Sequence, residues 1–306
     1  MIRIIQAEKG KVEMLPKVQD GCWVQVIKPT PEDISFLESL GVLRDYIKYA
    51  TDEEELSRIE AENEQTLIIV DLPTTANNAR NKKTSTTPAT FILMNGHFLI
   101  SVANKENDLF DEILKSPILN TQNRIRTILQ FLGKAALKYM QVLKEIDHIV
   151  NEIEQRAVRS VGKSEIIELM EVQKSLVYIT SSLKADESML DRFRLGSVVA
   201  IDKADLGYVE DIMIEIRQAR EMADIHERLL TNAMDNYGSI ISNNLNDIMK
   251  VLTVVTLLFS VPMVIFGLYG MNVGGLWFDE SPYFAIGISV LFMIGLSIWF
   301  IKKKML

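Results

Sequence analysis

The residues best suited to chemistry form one row. Stepping alternately by three and four from Asp235 meets Ser239, Ser242, Asn246, Met249, Thr253, Thr256, Ser260, Met263, Gly267 and Gly270, nearly all polar, small or methionine. Such steps keep side chains on one face of an α-helix. The positions between them, among them Val251, Val254, Val255, Leu257, Leu258, Val261, Val264, Ile265 and Leu268, are aliphatic. Close helix packing accounts for the glycines, but not for a hydroxyl and amide row that continues back through Asn246, Ser242 and Ser239 to Asp235. A water-filled channel accounts for both parts. One copy with two apolar segments cannot enclose such a channel, so the row calls for a ring of subunits. Pro262 is expected to kink or open the helix and free a backbone carbonyl toward the lumen.

Other chemistry finds little support. His97, His148 and His226 are isolated and show no metal-ligand spacing. Gly162-Lys163-Ser164 looks like the end of a phosphate-binding loop, yet Ala157 stands where its first glycine belongs and the preceding segment reads as helix. No nucleophile and base are paired by motif, so neither an enzyme nor an organic cofactor is expected. The formal net charge of -8 is concentrated before residue 251, which disfavours nucleic acid and favours cations. The single cysteine, Cys22, allows no internal disulfide and suits a reducing compartment.

The row must be held by elements that the pattern also supplies. Residues 251–270 and 281–301 carry no Asp, Glu, Lys or Arg, and about 20 residues at ~1.5 Å rise span a bilayer core of ~30 Å. Lys250 precedes the first span and Lys302, Lys303 and Lys304 follow the second, whereas the connector 271–280 has no Lys or Arg. The positive-inside rule then puts both termini in the cytoplasm of a cell-membrane (inner or plasma) protein. The N-terminus lacks a secretory leader pattern, so none is expected to be removed. Residues 1–118 read as a cytoplasmic α/β domain with strands at 2–6, 22–27, 65–72, 90–93 and 97–102. A helix at 30–40 is capped by Thr30 and Pro31, and a polar surface loop or hairpin tip fills 74–88. Residues 119–250 read as a stalk of long helices, one from about 121, a second over 164–194, and a third from about 204 running unbroken into the first span. Such a third helix, near ~100 Å at ~1.5 Å per residue, makes sense only with neighbouring copies beside it. The external loop 271–280 and the basic tail 302–306 complete an α+β domain joined by long α-helices to a two-helix transmembrane region.

At the end of the third helix stands Tyr269-Gly270-Met271-Asn272. With the preceding domain, the long helices, the two C-terminal spans and the basic tail, it resembles the CorA family of magnesium channels. The resemblance implies a funnel-shaped homopentamer in the lipid bilayer that carries mainly Mg2+, with Co2+ and Ni2+ as further cargo. It also implies that Gly270, Met271 and Asn272 form the ion entry and filter, Gly270 letting the chain turn. A ring of Asn272 amides would accept hydrogen bonds from the waters that Mg2+ holds tightly, and would still release the ion. By the same resemblance Asn246 forms a polar ring at the inner entrance and Met249 and Leu252 a gate that closes by dewetting. Asp211, with Glu210 beside it, is the implied regulatory site for cytoplasmic Mg2+. The loop departs from the family's usual acidic pattern, leaving only Asp279 and Glu280 to attract cations. An inside-negative potential of ~100 mV contributes ~4.6 kcal/mol for a divalent ion, over a thousandfold accumulation. Two other readings stay open: a zinc transporter of the same superfamily, similar to ZntB and coupled to protons, and a membrane-anchored coiled-coil scaffold without transport.

Overall fold

The computed structural model describes residues 1–77, 82–94, 97–159, 163–196, 198–271 and 282–303. It divides into two compact units, Met1–Ala233 and Met234–Leu306.

The first unit is built on one seven-stranded sheet. In chain order its elements are β1 (Ile2–Glu8), β2 (Lys11–Met14), β3 (Trp23–Ile27), α1 (Pro31–Ser39), α2 (Arg44–Thr51), β4 (Arg58–Glu62), β5 (Gln65–Asn77), β6 (Lys82–Met94), β7 (Phe98–Ala103), α3 (Asp108–Leu114), α4 (Arg124–Arg159) and α5 (Lys163–Arg194). The strand order is β2-β1-β3-β7-β6-β5-β4. Only β3 and β7 run parallel, and the other neighbours are antiparallel. Leu67, Ile68, Ile69 and Val70 of β5 are all fully buried. A strand covered on both faces loses the usual alternation, which is why 65–72 reads as an unbroken apolar run. One face packs Val24, Leu67, Ile69, Ile92 and Ile100 against Leu37 of α1 and Tyr46 and Ile47 of α2. On the other face an aromatic chain links Trp23 to Phe110 of α3, Phe110 to Phe131 of α4, and Phe131 to Phe91 of β6, the last two pairs at 4.9 Å.

Local signals hold where chemistry enforces them. Thr30 caps α1 in a reciprocal box: its Oγ1 accepts from the Asp33 N–H at 3.3 Å, and its own N–H donates to Asp33 Oδ2 at 3.0 Å. Of the segment 74–88, expected as a surface loop or hairpin tip, residues 74–77 and 82–88 are the two strand arms of a hairpin, and residues 78–81 lie outside the described residues. The β5/β6 ladder continues through Thr74↔Ser85 and Asn77↔Lys82. Threonines dominate that stretch, and β-branched side chains suit a pleated ribbon even when polar.

A last helix of the first unit, α6 (Lys203–Tyr269), extends into the second, and α7 (Pro282–Lys302) completes it. Within the first unit α6 buries Val209, Ile212, Ile216, Ala219 and Ala223, spaced by three and four. Its start is clamped to α4: Arg126 pairs with buried Asp205 at 2.6 Å and lies 4.5 Å over the Tyr208 ring. Gly133 leaves room for that ring, since a Cβ there would stand 2.9 Å from the Tyr208 hydroxyl. Farther along, Arg217 and Arg220 reach Glu187 of α5 at 2.7 and 2.9 Å.

Phe131 joins two of the aromatic contacts and is 1% exposed. Phe131→Ala is expected to cost about 3–5 kcal/mol in denaturant unfolding of the detergent-solubilised protein. A loss under about 1 kcal/mol would contradict this account of the core.

Candidate functional site

The second unit holds the membrane-length part of α6 together with α7. Both helices are long and apolar enough to cross a bilayer. In the membrane-length part of α6, Val254 is buried and Leu258, Val261, Ile265 and Tyr269 are half-buried, at steps of three and four, with Ser260 and Pro262 half-buried as well. Along α7, Ala285, Ser289 and Phe300 are buried, and Phe284, Ile288, Met293, Leu296 and Ser297 are half-buried. No other described element belongs to this unit, so these two seams face each other. Tyr269 and Phe284 meet at the C-terminal end of α6, their rings 6.5 Å apart. Ala285 and Ser289 keep the seam narrow, and the Ser289 hydroxyl donates to the Ala285 carbonyl at 2.8 Å rather than being left unpaired.

The row of polar and small residues falls elsewhere. At about 100° per residue the direction of Thr253, Thr256, Ser260, Met263 and Gly267 is roughly opposite that of the seam. Asn246, Met249, Leu252, Thr253, Thr256, Met263 and Gly267 are exposed in the single chain, and Ser260 is half-exposed. Met263 is 74% exposed whereas Val254 is 0%. The candidate pore-facing edge is therefore not sealed against the second span of its own chain. The aliphatic positions split as well: Val254 is buried and Leu258, Val261 and Ile265 half-buried, whereas Val251, Val255, Leu257, Val264 and Leu268 remain exposed.

The hydroxyls on this edge have a definite polarity. Thr253 Oγ1 donates to the Met249 carbonyl at 2.7 Å, Thr256 Oγ1 to Leu252 at 2.8 Å, and Ser260 Oγ to Leu257 at 2.8 Å. Each proton is spent on the helix's own backbone, a common use of Ser and Thr inside membranes. What the hydroxyls offer outward is lone pairs, which suit a cation or the protons of its waters. The exposed Asn246 lies about one turn before Met249 and nearly two before Leu252, and Asp247 beside it pairs with Lys250 at 2.9 Å.

Gly270 still donates to the Phe266 carbonyl at 2.9 Å. It lies in a turn just past Tyr269, the last residue of α6, without a positive φ. A Cβ there would press to 3.0 Å from the Phe266 oxygen. Pro262 does not end α6, which continues through it to Tyr269; the missing N–H leaves the Leu258 carbonyl without its helical donor. Asn272, Asp279 and Glu280 lie outside the described residues. In the first unit Glu210 and Asp211 are both exposed on α6. Among the described residues no three His, Cys, Asp or Glu side chains converge as a metal site within one chain.

The fold and the site then meet known proteins. The cobalt/magnesium transport protein CorA of Methanocaldococcus jannaschii is 25% identical over 267 residues, covering 85% of this chain and 82% of its own. The complete structure of the M. jannaschii CorA magnesium transporter superposes with a TM-score of 0.79 at 21% identity, over 99% of this chain and 96% of that one. The cytoplasmic domain of ZntB from Vibrio parahaemolyticus is more distant, with a TM-score of 0.59 at 13% identity over 80% of this chain and 97% of its own.

The assignment of faces has a direct check. Val254→Trp overfills the seam and should cost about 1–3 kcal/mol, seen as a lower thermal midpoint of the solubilised protein. Met263→Ala on the open edge should leave that midpoint nearly unchanged, and equal losses in the two variants would contradict the assignment.

The family model for the CorA-like Mg2+ transporter protein matches residues 18–303, nearly the whole chain that carries this fold and this edge: the chain belongs to that family of divalent-cation transporters.

Proposed function

We propose that this protein is a homopentameric channel for divalent cations, chiefly Mg2+ with Co2+ and Ni2+ as further cargo, driven inward by the membrane potential. The observation that carries the reading is the exposed edge of α6 opposite its seam with α7. In lipid such an edge has no solvent, and copies around an axis give it one. Large apolar side chains left exposed on the same helix in the first unit, Ile214, Ile225 and Leu229, each more than half exposed, support neighbouring copies along the stalk as well.

In this assembly Asn246 forms the inner polar ring. Met249 and Leu252 narrow the path to an apolar constriction that empties of water when closed. Thr253, Thr256, Ser260, Met263 and Gly267 line the span, with the hydroxyl lone pairs turned to the hydrated ion. Gly270, Met271 and Asn272 make the outer entry, where neutral amide oxygens hold the ion's waters without stripping them. Asp279 and Glu280 raise the local cation concentration outside that entry. Residues 1–118 and 119–250 stand in the cytoplasm, as do both termini, with 251–270 and 281–301 as spans, 271–280 as the external loop and 302–306 as a tail. Glu210 and Asp211, exposed on one chain, bind regulatory Mg2+ only with carboxylates of a neighbour. Filled sites bridge subunits and favour the closed gate, and empty ones repel and favour opening.

Expression in cells deficient in magnesium uptake should restore growth at low Mg2+, and Asn272→Ala should abolish the rescue while leaving the protein in the membrane. A scaffold would tolerate that change, and a zinc transporter would move Zn2+ but not Mg2+ in vesicle flux assays. Leu252→Ser should raise the Mg2+ leak of proteoliposomes held at high internal Mg2+. Native mass spectrometry giving any stoichiometry other than five would overturn the pentamer.

A further inference from the structure

Far from the α6 edge, two carboxyl groups are shut between the sheet and the helices. Asp71 of β5 is 5% exposed and Asp186 of α5 is 1% exposed. The place is defined by a missing strand partner. Pairing of β4 with β5 ends at Arg58↔Ile69, so the Asp71 N–H has no ladder acceptor. Two side chains take its place: Ser57 Oγ at 2.9 Å and Asp186 Oδ1 at 3.2 Å. The second oxygen of that carboxyl, Asp186 Oδ2, is enclosed and has no hydrogen-bond partner. Around the pair stand neutral groups. Tyr139 of α4 donates its hydroxyl to the Asp71 carbonyl at 3.0 Å, and Ser182 of α5, beside the Asp71 carboxyl, bonds Thr86 of β6 at 2.8 Å.

Among the described residues no cation is found acting on either acid. Basic side chains on β4, α5 and α6 are paired elsewhere: Arg58 with Glu55 and Glu60, Lys184 with Asp224, and Arg217 and Arg220 with Glu187. Two ionised carboxylates in a dry, cation-free enclosure repel each other and lack hydration, so one of them keeps its proton. The same causes act on the groups one by one. Burial first, then the Asp71 charge, pushes Asp186 well above the usual carboxylate range, and burial raises Asp71. Burial raises Tyr139 as well, keeping its hydroxyl neutral and donating.

We propose that Asp71 and Asp186 form a proton-binding site whose one proton keeps α5 latched onto the sheet where β4 ends, and that losing the proton to water loosens this contact. A proton on Asp186 removes the charge from an enclosed oxygen, Oδ2, that has no hydrogen-bond partner, and leaves Oδ1 to accept from the Asp71 N–H. Because the folded pair holds a proton that the unfolded chain releases near pH ~4, folding binds more protons above that pH. Stability from the latch is therefore greatest at low pH and falls as pH rises toward the raised folded value.

The test uses the full chain in detergent micelles, followed by hydrogen–deuterium exchange from about pH 5 to 9 with intrinsic rates removed. In the wild type, protection of the amides around Ser182 and Asp186 and of the Asp71 N–H should fall with pH, at most about tenfold per unit. Asp186→Asn keeps the Oδ1 acceptor and replaces the acid proton with an amide donor that cannot be lost, so its protection should stay flat and exceed the wild type at high pH. Asp71→Asn gives the same readout should Asp186→Asn fail to fold. Infrared difference spectra should show a protonated carboxyl band in the wild type near neutral pH that is missing from Asp186→Asn. A wild-type slope kept in both variants, or no such band in the wild type, would overturn the proposal. Neither measurement depends on transport, so the channel reading stands or falls separately.

Discussion

A helix that crosses hydrocarbon has no water with which to satisfy its polar groups, and this constraint orders everything in the second unit. Each polar atom must be paired within the helix, packed on a neighbour or turned to something wet. The α6 helix uses all three solutions on separate faces. The seam of Val254, Leu258, Val261, Ile265 and Tyr269 goes to α7. The hydroxyl protons of Thr253, Thr256 and Ser260 go back to the helix's own carbonyls. What is left is an edge of oxygen lone pairs, small residues and methionine, and lipid is the one environment that would make its composition unfavourable. The proposed ring of copies removes that conflict without any change to the chain.

The same helix carries the first unit's interface with α4 and α5 and continues in sequence into the second unit. Its beginning is fixed by the buried Arg126–Asp205 pair and by the Tyr208 ring stacked under Arg126 and fitted over Gly133. A paired charge that is nearly buried gains little net energy but is costly to break, so it fixes register more than it adds stability. Glu210 and Asp211 lie two and three residues after Tyr208, so the clamp fixes where these exposed acids stand in the first unit.

Much of this was legible from periodicity alone. The two spans, the start of α6 near residue 204, the α4 and α5 stripes and the Thr30 cap all rest on local signals, and the structure keeps them within a residue or a few. What escaped was set by partners distant in the chain. β2 and β4 are edge strands: Lys11–Met14 has no buried residue and Arg58–Glu62 has only Ile59, so neither shows an apolar signature. α2 starts at Leu43 with no side-chain cap. Residues 74–77 and 82–88 look like a loop by polarity and are strand by pairing. For the site, the row on α6 was readable because helical spacing is local. The Asp71–Asp186 pair joins residues 115 apart, and nothing in either neighbourhood marks it.

The acids of this chain divide by solvent, and the division assigns them different ligands. Glu210 and Asp211 remain exposed, where a carboxylate keeps its hydration and can trade part of it for an ion that also keeps most of its own waters. Mg2+ gives up its shell reluctantly, so an acid that is to sense it must be reachable with water still in place. Asp71 and Asp186 are enclosed by strands and helices with no such room, and a divalent ion would have to arrive bare. A proton carries no shell that the site must house, and binding it cancels a buried charge rather than adding one. Asp205, also buried, has Arg126 as its counter-ion; Asp71 and Asp186 have no such partner among the described residues, so a proton is the ligand that lets them stay enclosed without destabilising the domain.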